Sequence, residues 1–122
     1  MENDLITWKA GTVIYNFNDK PDFAYLLKEG EVQIISEKGI NVGFINENEI
    51  FGEQSILLDV KRTVTAKTSK NSVAVKITQE ALIKEFNKSS ILIKAILRST
   101  YIRLMNLDNT INDDLKSFLE KK

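Results

Sequence analysis

Residues 51–66, FGEQSILLDVKRTVTA, place an apolar run between two groups of polar residues. Gly52 and Glu53 precede the run Ile-Leu-Leu at 56–58, and Arg62 follows it. The run predicts a short helix that buries its apolar side against the rest of the fold. Its two ends then present polar groups at a surface, so the chemistry of this segment is expected at its ends.

The composition of the chain limits the classes of function. With 122 residues it is expected to form one domain over 1–122. The 17 Lys and Arg residues balance 17 Asp and Glu residues, so no net charge attracts DNA or anionic lipid. No apolar stretch approaches the roughly 18 to 20 residues of a membrane span, and the N-terminus lacks a signal-peptide pattern. We therefore expect a cytoplasmic protein that binds neither DNA nor membrane.

The chain contains no cysteine and no histidine. This excludes disulfides, thiolate nucleophiles, Ser-His and Cys-His dyads, and nearly all zinc and iron sites. No paired Asp/Glu motif suggests carboxylate chemistry with magnesium. We expect no enzymatic activity, no catalytic residues and no metal.

Residues 5 to 77 consist of short runs rich in Val, Ile, Thr and aromatics, separated by Gly, Asn and Asp. This pattern is typical of short strands in a sandwich or barrel. In the last run Val73, Val75 and Ile77 share one face while Ala74 and Lys76 take the other, as in a half-buried strand. The pattern predicts a β-roll over about 5–77.

From Thr78 onward the apolar spacing becomes helical. Thr78 is a suitable N-cap for QEALIKEF, and Ser89 or Ser90 caps the next helix. That helix carries an apolar stripe over about 20 residues, formed by Ile93, Ile96, Leu97, Thr100, Tyr101, Leu104, Leu107 and Ile111. The predicted fold is mainly β, a β-roll or jelly-roll barrel, followed by two or three α-helices over about 78–120.

A roll of this size serves two kinds of protein. Metal-dependent cupin enzymes place histidines inside it, which this chain does not contain. Residues 51–64 instead resemble the phosphate-binding cassette of cyclic nucleotide-binding domains, the regulatory modules of catabolite activator-type transcription factors, cyclic nucleotide-dependent kinases and cyclic nucleotide-gated channels. The family pattern is Phe-Gly-Glu, a short apolar helix, and an Arg eleven residues after the Phe, followed by Ala, Ser or Thr. The residues that fit without a gap are Phe51, Gly52, Glu53, Arg62 and Thr63.

The resemblance extends upstream of the cassette. FAYLLKEGEVQI is similar to the family's strand pair, with Tyr25, Gly30 and Val32 in register. It implies a jelly roll that binds cAMP or cGMP, with Val32 among the ligand-binding residues. The resemblance covers about residues 8 to 112.

The cassette suits a cyclic phosphate, which has one negative charge and two exocyclic oxygens. The N–H groups of Gln54 and Ser55 at the start of a helix offer donors and the positive end of a dipole. Arg62 supplies a two-pronged charged donor. Gly52 lets the backbone approach the sugar, and Glu53 accepts a hydrogen bond from the ribose 2′-hydroxyl.

Simpler interpretations stay open beside these. Glu53 is also explained as a first-turn acid favoured by the helix dipole. Arg62 is also explained by a surface ion pair with Asp59. Thr63, which in the family bonds the guanine amino group, equally suits the next strand. Arg103 lies 41 residues after Arg62, where some channel members place an Arg over the purine, but it is also an ordinary exposed helix residue.

The sequence departs from the family at several positions. Asn18 and Asn48 replace turn glycines, and Asn tolerates the left-handed backbone better than other non-glycine residues. Leu107 and Asp108 stand where activator-type members have a base-contacting Thr-Ser pair. The chain after Asp108 is too short for a DNA-reading unit of roughly 60 to 80 residues.

These observations predict a regulatory domain that binds a cyclic nucleotide, with cAMP favoured over cGMP, and changes the position of its C-terminal helix. Its output would lie in an unknown effector protein, and a homodimer through that helix is a further option. The alternative is a ligand-free β-roll that serves structure or protein association. The choice of nucleotide, the effector, the oligomeric state and whether the chain is a fragment stay open.

Overall fold

A computed structural model describes the backbone of residues 4–120 and the side chains of residues 4–104 and Asn106. The chain divides into two compact units, Met1–Glu85 and Phe86–Lys122. Within the described residues no helix is both long and apolar enough to cross a membrane.

The described part of the first unit forms two four-stranded antiparallel sheets. One sheet has the order β1-β8-β3-β6 and the other β2-β7-β4-β5. The strand bounds are β1 Leu5–Trp8, β2 Val13–Tyr15, β3 Phe23–Glu29, β4 Val32–Ile35, β5 Asn41–Ile45, β6 Ile50–Phe51, β7 Thr65–Thr68 and β8 Ser72–Thr78. The prediction of a mainly β fold followed by helices is confirmed.

The main core consists of buried residues from both sheets. Aromatic rings make up much of it, since the ring of Tyr25 stacks on Phe51 at 5.3 Å and meets Trp8 edge-on at 5.3 Å. The core residues are Tyr15, Tyr25, Leu27, Val32, Phe51, Ala66 and Ala74. Phe51, the first residue of the quoted segment, therefore anchors that segment in the core.

A second apolar cluster covers the other face of the β3–β8 pair. Ala24, Ile56 and Ile77 are buried there, with Val75 packed against them. The prediction that β8 is half-buried is wrong, because Ala74 on its second face is 0% exposed and lies in the main core. Both faces of this strand are covered, and alternation of small and branched apolar residues does not show which face meets which cluster.

Left-handed backbone conformations occur at the turns where the sequence departs from family glycines. Asn18 has φ 74° and Asn48 has φ 68°, which confirms the expectation for asparagine at these positions. Gly30 has φ 99°, and a Cβ on it would lie 2.6 Å from the Asn71 carbonyl oxygen and 2.8 Å from the Ser72 Cα. Only glycine fits this turn, since both φ and the neighbouring backbone exclude a side chain.

The helices are α1 Glu53–Leu57, α2 Gln79–Lys88 and α3 Ile91–Glu120. The predicted caps are confirmed for Thr78, whose hydroxyl accepts from the Ala81 N–H at 3.1 Å, and for Ser90, which accepts from the Ile93 N–H at 3.1 Å. Within the described residues, α2 and α3 follow β8, and α3 runs without interruption for 30 residues, which agrees with the expected two or three helices.

Helix α3 has apolar side chains that its own unit does not bury. Ile91 is 85% exposed and Leu92 is 68% exposed, and Ile93, Ile96 and Leu104 are each about half exposed. Leu97 and Tyr101 are half-buried. The predicted stripe residues Leu107 and Ile111 lie outside the described side chains.

Candidate functional site

A cleft in the first unit opens between helix α1 and strands of the roll. Most of the predicted site residues line it, namely Phe51, Gly52, Glu53, Gln54, Ser55 and Thr63. The remaining lining residues are Tyr15, Ile34, Ile45, Ile50 and Val64. The cleft therefore combines an apolar wall with a group of carboxylate, amide, hydroxyl and backbone groups from the cassette.

Three of the predicted residues lie elsewhere. Val32 is 0% exposed in the main core, and it is Ile34, two residues further along the same strand, that lines the cleft. Arg62 is 2% exposed and does not line the cleft. Arg103 lies on α3 in the second unit with an exposed side chain.

The residues that the sequence reading missed are apolar or aromatic. Tyr15 ends strand β2, and Ile34 and Ile45 lie on the paired strands β4 and β5. One sequence pattern pointed towards Ile34: it lies two residues after Val32, so the two side chains share one face of β4. Spacing alone does not show where along a face the core ends and the cleft begins.

Helix α1 forms the short apolar segment that the sequence predicts. It begins after Gly52, whose φ is 80°, and Asp59 follows its end with φ 53°. The Leu58 N–H donates to the Gln54 carbonyl at 2.9 Å, and the Val60 N–H donates to the Ser55 carbonyl at 2.9 Å. Ile56, 6% exposed, packs in the second cluster, so burial of this side chain holds the helix on the sheet.

The guanidinium of Arg62 is enclosed by oxygen acceptors. Nη1 donates to the Gly52 carbonyl at 2.5 Å, and Nη2 donates to the Phe23 carbonyl at 2.6 Å. Nη2 also lies 3.2 Å from a carboxylate oxygen of Asp22. The hydrogen bond to Gly52 ties the buried cation directly to a backbone group of the cleft wall.

The ion pair of Arg62 is formed with Asp22 and not with Asp59, so the simpler interpretation is wrong in its partner. Asp22 is 60% exposed, and an ion pair open to water stabilises a fold only weakly. The two backbone carbonyls therefore do more than Asp22 to fix the position of this side chain.

One polar atom of Arg62 has no acceptor within the described part of the chain. This atom is the buried Nε–H. A buried donor without a partner costs roughly 1 to 3 kcal/mol. A ligand oxygen placed beside Nε would recover this free energy.

Gly52 is required for reasons that the sequence did not show. Its φ of 80° favours glycine, and a Cβ there would lie 3.1 Å from Arg62 Nη1 and 3.3 Å from the Phe23 carbonyl oxygen. A side chain at this position would press on the guanidinium and its acceptor. Gly52 thus shapes the pocket that holds Arg62, in addition to the predicted approach to a sugar.

Two charged or titratable side chains, Glu53 and Tyr15, line the cleft, and a second buried tyrosine, Tyr25, lies in the main core. Glu53 is half-buried in the first turn of α1 and lines the cleft. Burial raises the pKa of Tyr15 to about 12, an effect that Arg62 opposes and the negative charge of Glu53 increases. Burial likewise raises the pKa of Tyr25 to about 12. Both phenols are therefore neutral at physiological pH.

No group of three or more His, Cys, Asp or Glu residues that could hold a metal ion occurs among the residues that the structure describes.

Comparison with known families matches the family described as Cyclic nucleotide-binding domain over residues 5–89. This range contains both sheets and all of the cleft lining. The chain belongs to the cyclic nucleotide-binding domain family.

Individual relatives are more distant. A cGMP-dependent protein kinase of Eimeria tenella is 30% identical over 76 residues, which cover 62% of this chain and 8% of the kinase. The EAL enzyme Bd1971 in its form with cAMP and cyclic-di-GMP bound superposes with a TM-score of 0.78 at 21% identity, over 87% of this chain and 30% of that one.

The sensor domain of the transcriptional regulator DNR from Pseudomonas aeruginosa has a TM-score of 0.70 at 22% identity, over 83% of this chain and 74% of that one. These structural likenesses show the shared fold. The chain spans less than a third of the kinase and of the EAL enzyme.

Proposed function

We propose that this chain is a non-catalytic regulatory domain that binds a cyclic nucleotide in the cleft beside α1, without a metal. One observation carries the proposal: the cassette residues from Phe51 to Ser55, with Thr63, line a single cleft, and the buried Arg62 is hydrogen-bonded to the cleft-lining Gly52. Membership of the cyclic nucleotide-binding family supports it.

The phosphate is proposed to bind where Arg62 adjoins the start of α1. The N–H groups of Gln54 and Ser55 lie in the first turn, where no acceptor is available within the helix itself. The unpartnered Nε–H of Arg62 adds a charged donor. Asp22 competes only weakly with a phosphate for the Arg62 guanidinium, because its carboxylate is mostly exposed to water.

The remainder of the nucleotide is proposed to follow the cleft wall. Glu53 accepts from the ribose 2′-hydroxyl, which distinguishes ribose from deoxyribose. The base lies against apolar side chains of the roll, such as Ile34, Ile45 and Val64. Burial of the base against them supplies the part of the affinity that does not depend on charge.

The choice between cAMP and cGMP is proposed to favour cAMP, with cGMP also bound. Thr63 is exposed at the cleft and is positioned to offer its hydroxyl to a guanine amino group. The matched kinase is named as cGMP-dependent, and the EAL enzyme Bd1971 has been solved in cAMP-bound and cGMP-bound forms. Relatives of both kinds support a site that accepts either purine.

The response is proposed to be a change in the position of α3, read by an effector protein. Arg103 on this helix is the proposed base contact, as the resemblance to channel members implies. The exposed Ile91 and Leu92 at the start of α3 offer apolar surface to an effector or to a second copy of the chain. We propose that residues 1–122 form one regulatory domain, that this domain itself binds no DNA because its charge is balanced, and that its location is cytoplasmic.

A ligand-free association module is the second candidate. The observation that favours it is apolar surface away from the cleft, including Val42, which is 60% exposed, and Phe44, which is 47% exposed, on strand β5. Such a module would retain the fold and associate through these side chains.

Calorimetric titration of the purified chain with cAMP, cGMP and 5′-AMP separates the two candidates. We expect saturable binding of cAMP, weaker binding of cGMP, and little binding of 5′-AMP, whose phosphate is not cyclised. Absence of binding by both cyclic nucleotides would reject the proposal and favour the association module.

A further inference from the structure

Among the cleft-lining residues that the sequence reading missed, Tyr15 is the one that also contacts the buried cation. The centre of the Arg62 guanidinium lies 4.0 Å from the centroid of the Tyr15 ring. A guanidinium over an aromatic face is attracted by the electron density of the ring, most strongly where water is excluded. Here Tyr15 is 7% exposed and Arg62 is 2% exposed, so the contact is dry.

The orientation of the guanidinium is determined by two kinds of contact. The carbonyls of Gly52 and Phe23 accept from Nη1 and Nη2, which fixes the group within its own plane. The ring of Tyr15 lies against its face, which fixes the tilt of that plane. Nε, the nitrogen without an acceptor in the described chain, is held by the same contacts.

The Tyr15 ring is itself fixed by the core. Tyr15 pairs with Ala66 on strand β7, and its ring lies 6.5 Å from the ring of Phe51. A Cβ on Gly52 would come 3.4 Å from Tyr15 Cε2, so ring, glycine and guanidinium form one close-packed group. The position of the ring is transmitted to Arg62 because no free space separates them.

We infer that Tyr15 is a positioning residue of the ligand site, whose aromatic ring holds the Arg62 guanidinium in the orientation that a cyclic phosphate requires. The inference rests on the proposed function. It assigns the effect to the ring and not to the hydroxyl. The high pKa of Tyr15 agrees with this assignment, since the cation faces a neutral ring at physiological pH.

The test uses the full chain with Tyr15→Phe, which keeps the ring, and Tyr15→Leu, which removes it. Trp8→Leu is the matched control, because Trp8 belongs to the same aromatic group through Tyr25 and Phe51. Calorimetry with cAMP and cGMP is combined with the ¹H–¹⁵N signal of the Arg62 Nε–H, assigned with Arg62→Lys. Thermal melts establish that each variant is folded at the temperature of the titration.

We expect Tyr15→Phe to bind within about threefold of wild type and Tyr15→Leu to bind about tenfold or more weakly, as for loss of a desolvated cation–π contact. Trp8→Leu should lower the melting temperature and leave the affinity within about threefold, because its ring is outside the Arg62 contact. The Nε–H signal should keep its shift and slow solvent exchange in Tyr15→Phe and lose both in Tyr15→Leu.

Equal affinities of Tyr15→Leu and Trp8→Leu would overturn the inference while leaving the ligand assignment intact. A loss in Tyr15→Phe as large as in Tyr15→Leu would assign the effect to the hydroxyl and overturn the role of the ring. If wild type binds neither nucleotide, the proposed function fails, and the Nε–H signal decides the role of Tyr15. An unchanged Nε–H signal in Tyr15→Leu would then overturn the role of Tyr15 in holding Arg62, and loss of the signal would support that role.

Discussion

The cassette segment and helix α3 use their side chains in opposite ways. In the cassette, Arg62 is 2% exposed among backbone acceptors and Ile56 is 6% exposed. In α3, Ile91 is 85% exposed and Leu92 is 68% exposed, although both are large and apolar. The cassette completes its packing within its own unit, whereas α3 keeps apolar surface that its own unit does not cover. Under the proposed function, this difference assigns ligand affinity to the roll and the response to the helix.

We expect alkaline pH to cause the largest loss of stability in the first unit, because it ionises the two buried tyrosines. Burial raises the pKa of Tyr15 and Tyr25 from 10.0 to about 12, so the unfolded chain loses these protons first as pH rises. Their contribution is complete below pH 10 and is lost as pH rises through 12. We expect unfolding free energy to fall by about 1.4 kcal/mol per pH unit for each tyrosine in this window.

Urea denaturation at a series of alkaline pH values measures this slope. Tyr15→Phe should remove the part that belongs to Tyr15 and keep the ring in place. A slope identical in wild type and Tyr15→Phe would show that Tyr15 does not titrate as a buried phenol.

Gly30→Ala tests whether the turns of the roll tolerate change. We expect a loss of about 2 to 4 kcal/mol of unfolding free energy, because a left-handed backbone and a backbone clash act together. Gly39→Ala is the matched control, since Gly39 has φ 80° with nothing within 4 Å of an added Cβ. It should cost only about 1 to 2 kcal/mol.

Thermal melts of the two alanine variants separate two costs. Both variants place alanine in a left-handed backbone, and only Gly30→Ala adds a clash with neighbouring backbone atoms. Equal losses would mean that the turn at Gly30 relaxes away from Asn71 and Ser72 and that this part of the roll is not tightly packed.

Helix α3 is tested through Arg103 and through its amide exchange. If Arg103 contacts the base, Arg103→Ala should weaken cAMP binding by about 0.5 to 2 kcal/mol, the range of a cation–π contact. Amide exchange over residues 91–112 should also slow on adding cAMP by more than in residues 73–77. Arg98→Ala removes a charge from another exposed position of the same helix and serves as control.

Equal protection of helix and strand, with wild-type affinity in Arg103→Ala, would contradict a responsive helix. The domain would then be a rigid ligand holder, and the exposed apolar surface of α3 would serve association alone.

The sequence predicted the fold and most of the cleft because those features are local. Phe51 to Thr63 carry their pattern within one short segment, and the caps at Thr78 and Ser90 lie next to the helices they begin. Tyr15 was missed because its contact with Arg62 joins residues far apart in the chain. Val32 was assigned to the site from the resemblance to the family's strand pair, and tertiary packing alone shows that Val32 lies in the core while Ile34, on the same face, lines the cleft.

The partner of Arg62 was missed for a similar reason. Asp59 is close in sequence, but its left-handed backbone ends α1, and the carboxylate that pairs with Arg62 is that of Asp22. Long-range pairings of this kind follow from strand topology, which composition and spacing do not determine.

The central claim is that Arg62 binds the phosphate of a cyclic nucleotide, and calorimetric titration with cAMP of wild type, Arg62→Ala, Arg62→Lys and Lys61→Ala tests it most directly. Lys61 is the matched control because it is the exposed neighbour and its replacement changes the net charge equally. We expect Arg62→Ala to lose about 2 to 5 kcal/mol of binding free energy and Lys61→Ala less than about 0.5 kcal/mol. Arg62→Lys should recover only part of the loss, since the fork of donors is absent. Binding by folded Arg62→Ala as tight as by wild type would contradict the claim.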